Sequence, residues 1–159
     1  MLRRAIMTLA ILVMLPSAAS ASSFTFYGTH LGFAQGPDEM VFGGQLQWNG
    51  VAPRMAFVPG LDYTFSDRTS NSFMTLNTDL HYNLTYETSW QPYFGAGVGV
   101  NVWSDGVRRR GEDTGPGAHM IVGVATRNHS GGRFFTEMKL GFGDSPAMMM
   151  LAGWNLRSH

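Results

Sequence analysis

The sequence predicts an all-β protein, an eight-stranded antiparallel up-and-down transmembrane β-barrel. Three observations predict it. Long runs alternate with period 2, each run carries a polar face opposite an apolar one, and no apolar run after residue 21 approaches the roughly 18 residues of a membrane helix. The alternation is clearest from Phe73 to Trp103. Met74, Leu76, Thr78, Leu80, Tyr82, Leu84 and Tyr86 share one face, whereas Phe73, Thr75, Asn77, Asp79, His81, Asn83 and Thr85 share the other. After ETSWQ the pattern resumes, with Phe94, Ala96, Val98, Val100 and Val102 opposite Tyr93, Gly95, Gly97, Gly99 and Asn101. Strands of soluble proteins are typically about 5–6 residues long. Runs this long suit a tilted strand that crosses a bilayer, its apolar stripe outward and its polar face in the lumen.

Residues 1–21 are expected to be a cleaved secretory signal peptide: Arg3 and Arg4 precede an apolar stretch from Ala5 to Leu15, and Ala19-Ser20-Ala21 is a small-residue cleavage site. Residues 22–159 then form one barrel domain. Arg3 and Arg4 are two of 11 basic residues, and the remaining nine face 11 acidic ones, a net of −2. That balance gives no support to a nucleic-acid partner. There is no cysteine, so an exported chain of this kind depends on packing and hydrogen bonding rather than disulfides. Without a transmembrane helix, a closed barrel is the available way to span a membrane.

The eight strands follow in order. Strand 1 spans 24–33, with Tyr27, Thr29, Leu31 and Phe33 outward and Gly28, His30 and Gly32 inward, although Phe24 and Phe26 fall on the inward parity. Strand 2 covers 40–49 and closes at Asn49-Gly50 before Pro53. Strand 3 covers 54–65, with a bulge or kink expected at Pro59-Gly60, because proline cannot donate to a ladder. Strands 4 and 5 are the hairpin above. Residues 104–117 (SDGVRRRGEDTGPG) are expected to form the longest connection. Strand 6 covers 118–127, strand 7 covers 133–143, and strand 8 covers 147–157 with Met148, Met150, Ala152, Trp154 and Leu156 on its apolar face. With the N-terminus inside, the longest loop falls on the outer side, the asymmetry usual for such barrels. Tyr27, Trp48, Tyr63, Tyr86, Trp90, Trp103 and Trp154 lie mostly near strand ends, where interfacial girdles sit.

The signal with Ala19-Ser20-Ala21, the QPYFGAGVGVNVW strand and the closing FFTEMKLGFGDSPAMMMLAGWNL hairpin resemble the small outer-membrane β-barrel family around OmpA, OmpX, OmpW and the opacity-type porin-like proteins. The resemblance covers essentially residues 22–159. It implies a Gram-negative outer-membrane location, contact with outer-membrane lipid and lipopolysaccharide, insertion by the assembly machinery and a monomeric state. Family members usually end on an aromatic residue, whereas this sequence ends Arg157-Ser158-His159.

The expected lumen cluster comprises Arg54, Asp62, Asp79, His81, His119, Glu137, Lys139 and Arg157, joined by Arg127 and, on the strand 1 parity, His30. In a narrow lumen these groups must be paired or hydrated, since isolated buried charge is very costly. Either they form an ionic gate in a narrow pore or they form a charge-satisfied plug; the filled interiors of eight-stranded barrels favour the plug. His129-Ser130, with Glu137 seven residues on, invites comparison with the lipid A deacylases, but there the His and Ser are not adjacent, and the pair here falls in an inner turn. Arg108-Arg109-Arg110 is a candidate lipopolysaccharide contact, with Glu112 and Asp113 beside it. The histidines show no metal-ligand spacing and no cofactor motif is present. The leading expectation is a non-enzymatic outer-membrane barrel with a structural, adhesive or narrow porin-like role. The alternatives are a lipid-modifying outer-membrane enzyme and a lipocalin-like barrel whose apolar face would point inward.

Overall fold

The computed structural model describes residues 23–35, 39–66, 72–84, 89–104, 114–126 and 132–157. It contains eight strands: β1 (Ser23–Ala34), β2 (Glu39–Ala52), β3 (Met55–Ser66), β4 (Ser72–Asn83), β5 (Trp90–Ser104), β6 (Thr114–Thr126), β7 (Gly132–Gly143) and β8 (Met148–Arg157). Each pairs antiparallel with its neighbours in sequence, and β1 pairs with β8 over Phe26–Ala34 and Met149–Arg157. The sheet therefore closes with no edge left unpaired. The strands run from 10 to 15 residues, enough for a tilted crossing of about 9–11 residues.

Pleat parity divides the wall as the sequence predicts. Leu76, Leu80, Val98 and Leu140 are exposed on the outside, and Val100 and Met138 are half-buried there. Leu31, Met120, Val122, Phe142 and Met150 are each 56–59% exposed. A continuous belt of such residues has no counterpart on a protein dissolved in water, where contiguous apolar patches rarely exceed a few hundred Å². The inverted, lipocalin-like arrangement is excluded. Trp48 packs on Phe57, Tyr82 on Phe94 and Phe134 on Trp154, with ring centroids 6.1, 5.3 and 6.4 Å apart. These pairs lie towards one end of the barrel and, with the exposed Tyr27 and Trp90, build the expected girdle. Tyr86 and the Trp103 side chain lie outside what is described.

Several local expectations change. The parity conflict in β1 resolves into a register shift between Phe24 and Phe26, which leaves Phe26 buried in the lumen and Tyr27 outside. Asn49-Gly50 does not end β2; the strand continues to Ala52 through a register shift, with Gly50 at φ 80°. The turn is Pro53–Arg54, where Arg54 takes φ 64° and is exposed. Pro59 produces no bulge: the β2–β3 pairs on either side of it, Gln45 with Gly60 and Trp48 with Phe57, keep one register. The missing N–H is absorbed by a gap in the ladder rather than by an extra residue. Finally, Thr114–Gly117 belongs to β6, pairing with Gly99–Val102, so the long connection is confined to residues 105–113.

Candidate functional site: a polar network buried in the lumen

Inward side chains of β1, β4, β6 and β7 converge on two carboxylates, Asp79 and Asp62. Asp79 on β4 accepts from Lys139 Nζ of β7 at 2.9 Å (Oδ2) and is bonded to His119 Nε2 of β6 at 2.7 Å (Oδ1). His81 Nε2 stands 4.0 Å from the same carboxylate. Lys139 Nζ lies 3.6 Å from Glu137 Oε1, and Tyr93 OH donates to Glu137 Oε2 at 2.8 Å. The Tyr93 ring stacks on His81 with centroids 4.9 Å apart. Asp62 on β3 is the second centre: it is bonded to His30 Nε2 of β1 at 2.6 Å and accepts from Asn77 Nδ2 of β4 at 2.6 Å. In both Asp–His pairs the imidazole Nε2–H donates to a carboxylate oxygen, the stronger charge-assisted form of the bond.

A single device builds both pairs. His30 and Asp62 both pair with Gly43, on the strand between them, and Asp79 and His119 both pair with Gly97. At one level of the barrel, short side chains two strands apart meet here over a position with no side chain of its own. A Cβ at Gly43 would meet both Asp62 Oδ1 and His30 Nε2, and one at Gly97 would meet both Asp79 Oδ1 and His119 Nε2. Gly123 makes room in the same way for the Tyr93 ring.

Above and below this belt the lumen is also filled. Ala34, Val41, Met149 and Leu151 cluster towards the loop end of β1, β2 and β8, and Tyr93, Ile121, Ala125 and Phe135 towards the girdle end of β5, β6 and β7. Arg133 packs its guanidinium over Phe26, 5.3 Å from the ring centroid. At the loop end the β7–β8 turn folds inward. Asn101 accepts from Thr75 Oγ1 at 2.6 Å and donates to the Asp144 carbonyl, and Gly115 and Gly117 leave the space that Asp144 and Ser145 fill. The charged centre of the lumen is buried: Asp62, Asp79, Glu137 and Lys139 are each at most 4% exposed.

Of the expected lumen cluster, Asp62, Asp79, His81, His119, Glu137 and Lys139 are brought together, and His30 joins them. Arg54 and Arg157 do not. Arg54 is the left-handed residue of an exposed turn, and Arg157 is exposed at the end of β8. Arg127, Arg108–Arg110 and His129-Ser130 lie outside the described residues. Glu137, the carboxylate that invited the deacylase comparison, faces the lumen and is occupied by Tyr93 and Lys139. Residues missed from sequence are Arg133, Tyr93, Asn77 and Asn101. All four sit at inward parity, so the signal was present, but polar or aromatic character alone did not single them out. Among the described residues no group of three or more side chains could hold a metal ion.

The geometry defines a membrane-spanning β-barrel with a packed polar core, and solved structures share its fold. Neisserial surface protein A is similar over 87% of this chain and 100% of its own, with a TM-score of 0.69 at 12% identity. The N-terminal β-barrel domain of Pseudomonas aeruginosa OprF is similar over 86% of this chain and 99% of its own, with a TM-score of 0.63 at 12% identity. A de novo designed barrel, TMB2.3, matches at a TM-score of 0.50 and 16% identity, covering 88% of this chain and 98% of its own. At these identities the likeness is one of fold. No family model and no curated protein matches the sequence.

Proposed function

We propose that this protein is a closed outer-membrane barrel with a structural or adhesive role. On this reading it is a non-enzymatic monomer that presents its connections outside the cell and passes no solute through its lumen. The observation that carries the reading is the burial of the central ion network: Lys139 and Asp79 touch at 2.9 Å with 3% and 2% exposure, packed round by the other lumen side chains. An eight-stranded interior is just wide enough for side chains, and here they fill it. The likeness in fold to Neisserial surface protein A and to the OprF barrel domain supports the outer-membrane location. Lipopolysaccharide at Arg108–Arg110 and the outer-membrane assembly machinery are the partners this reading assigns.

The test is recording from planar bilayers after insertion is verified by heat-modifiable gel mobility. The expected record shows no unitary current. Reproducible current steps from folded protein would overturn the closed-barrel reading, and recovery wholly in the soluble fraction would overturn the membrane reading beneath it.

A further inference from the structure

We propose that the outer wall of β8 and β1–β4 holds a seat for one acyl chain of a membrane lipid, and that Gly44 opens it. The inference rests on the barrel being embedded in lipid, and it gives one patch of the wall a preferred occupant. A groove of about 730 Å³ crosses this face, within the roughly 300–1,000 Å³ typical of small-molecule sites. Gly44 and Thr29, paired across β1 and β2, lie in it beside Pro59 and Gly60, and Phe42, Leu46, Leu61 and Trp154 help to line it.

Gly44 is not required by the fold. The lumen glycines are: at Gly43 and Gly97 a Cβ would collide with an Asp–His pair. At Gly44 a Cβ would meet only the Gly28 carbonyl, at 3.4 Å, and the backbone is not in the left-handed region. Among the described residues it is the only glycine on the outward face away from the strand ends. Glycine in a strand interior is unfavourable, both in backbone entropy and in lost side-chain contact. A larger residue would fit there and fill the wall, so the effect of glycine at this position is the hollow itself.

Continuity with the lipid-facing belt selects the occupant. The groove merges with the exposed side chains of Tyr27, Phe42, Tyr63 and Leu156, so the molecules beside it are lipid chains. A second copy is a poorer fit: a two-fold contact sets groove against groove and leaves the hollow unfilled. Moving an acyl chain from bilayer to groove gains no hydrophobic energy, so the preference comes from packing contacts that an empty groove would forfeit.

The test is native mass spectrometry of the full chain, folded in detergent and titrated with dipalmitoyl phosphatidylethanolamine. Folding of each variant is verified by heat-modifiable mobility. The wild type is expected to retain one lipid, Gly44→Ala to retain it more weakly, and Gly44→Leu to bind about tenfold more weakly, a change of ~1.4 kcal/mol. Ala118→Leu, on the outward face of β6, is expected to match the wild type. Equal retention by the wild type and folded Gly44→Leu would overturn the seat. If Gly44→Leu does not fold, equal retention by Gly44→Ala overturns it, since that methyl fits the backbone. A lipid-free dimer that Gly44→Leu dissociates would overturn the choice of occupant. Failure of the wild type to fold in detergent or vesicles would strike the membrane reading instead, and the mobility assay reports it separately.

Discussion

Replacing Lys139 by methionine removes the cation that stands between two buried carboxylates. Nζ lies 2.9 Å from Asp79 and 3.6 Å from Glu137, in a side chain 4% exposed. Breaking one partner out of a buried pair costs about 3–5 kcal/mol, because the remaining charge is left without compensation. Asp79 keeps its bond to His119 and Glu137 keeps the Tyr93 hydroxyl, so the expected loss sits at the lower end, about 3 kcal/mol. The assay is urea unfolding of the barrel in phospholipid vesicles, followed by tryptophan fluorescence and gel mobility, with an unchanged m-value showing that the same surface is exposed. Adding Asp79→Asn to Lys139→Met removes the stranded carboxylate. The double variant is expected to be more stable than the sum of the two singles by about 1–3 kcal/mol, the coupling usual for residues in one network. A loss below about 1 kcal/mol, or two singles that add within about 0.5 kcal/mol, would refute the claim that the pair carries the lumen.

Gly43→Val and Gly97→Val each drive a side chain into an Asp–His bond and are expected to destabilise by at least about 1–3 kcal/mol in the same urea titration. Val98→Arg places a cation on the lipid-facing wall near the middle of β5 and is expected to cost about 2–4 kcal/mol. Arg54→Ala and Arg157→Ala, both at exposed positions, are expected to fall within about 0.5 kcal/mol of the wild type; a large loss from either would return that arginine to the lumen network. Asn101→Leu leaves the Thr75 hydroxyl and the Asp144 carbonyl without their shared partner and is expected to cost about 1–3 kcal/mol, with faster amide exchange at Asp144.

The wall was legible in the sequence because lipid and lumen impose opposite demands on alternate residues, and the pleat keeps those demands apart by parity. Met74, Leu76 and Leu80 against Asn77, Asp79 and His81 is that rule written in six residues. The strand ends were harder to place. Pro116 and its neighbouring glycines have the composition of a turn, yet Gly115 and Gly117 line the lumen because the β7–β8 turn packs against them. Nothing local to residues 114–117 announces a contact made by residues 144 and 145. Arg54 shows the converse error: parity extended one residue too far turned a turn residue into a lumen residue.

Partnership inside the barrel was not legible either, because it depends on strand stagger, and stagger is a property of the closed sheet. His30 and Asp62 are 32 residues apart and His119 and Asp79 are 40 apart, and only closure brings them over Gly43 and Gly97. Once closed, the pattern bears on function. Asp79 joins β4 to β6 and β7, and Asp62 joins β3 to β1 and β4. Tyr93–Glu137 ties β5 to β7, and Gln45–Asn155, at 3.1 Å, ties β2 to β8. Every strand is thus cross-braced through the lumen by side chains that are themselves buried. A gate would need a charge free to exchange one partner for another of similar strength. Here Lys139 already spans both carboxylates within its reach, and clearing a path past Asp79 would break bonds to two other strands at once. On the closed-barrel reading proposed above, the polar interior acts as a brace, and engagement falls to the lipid-facing wall and the connections.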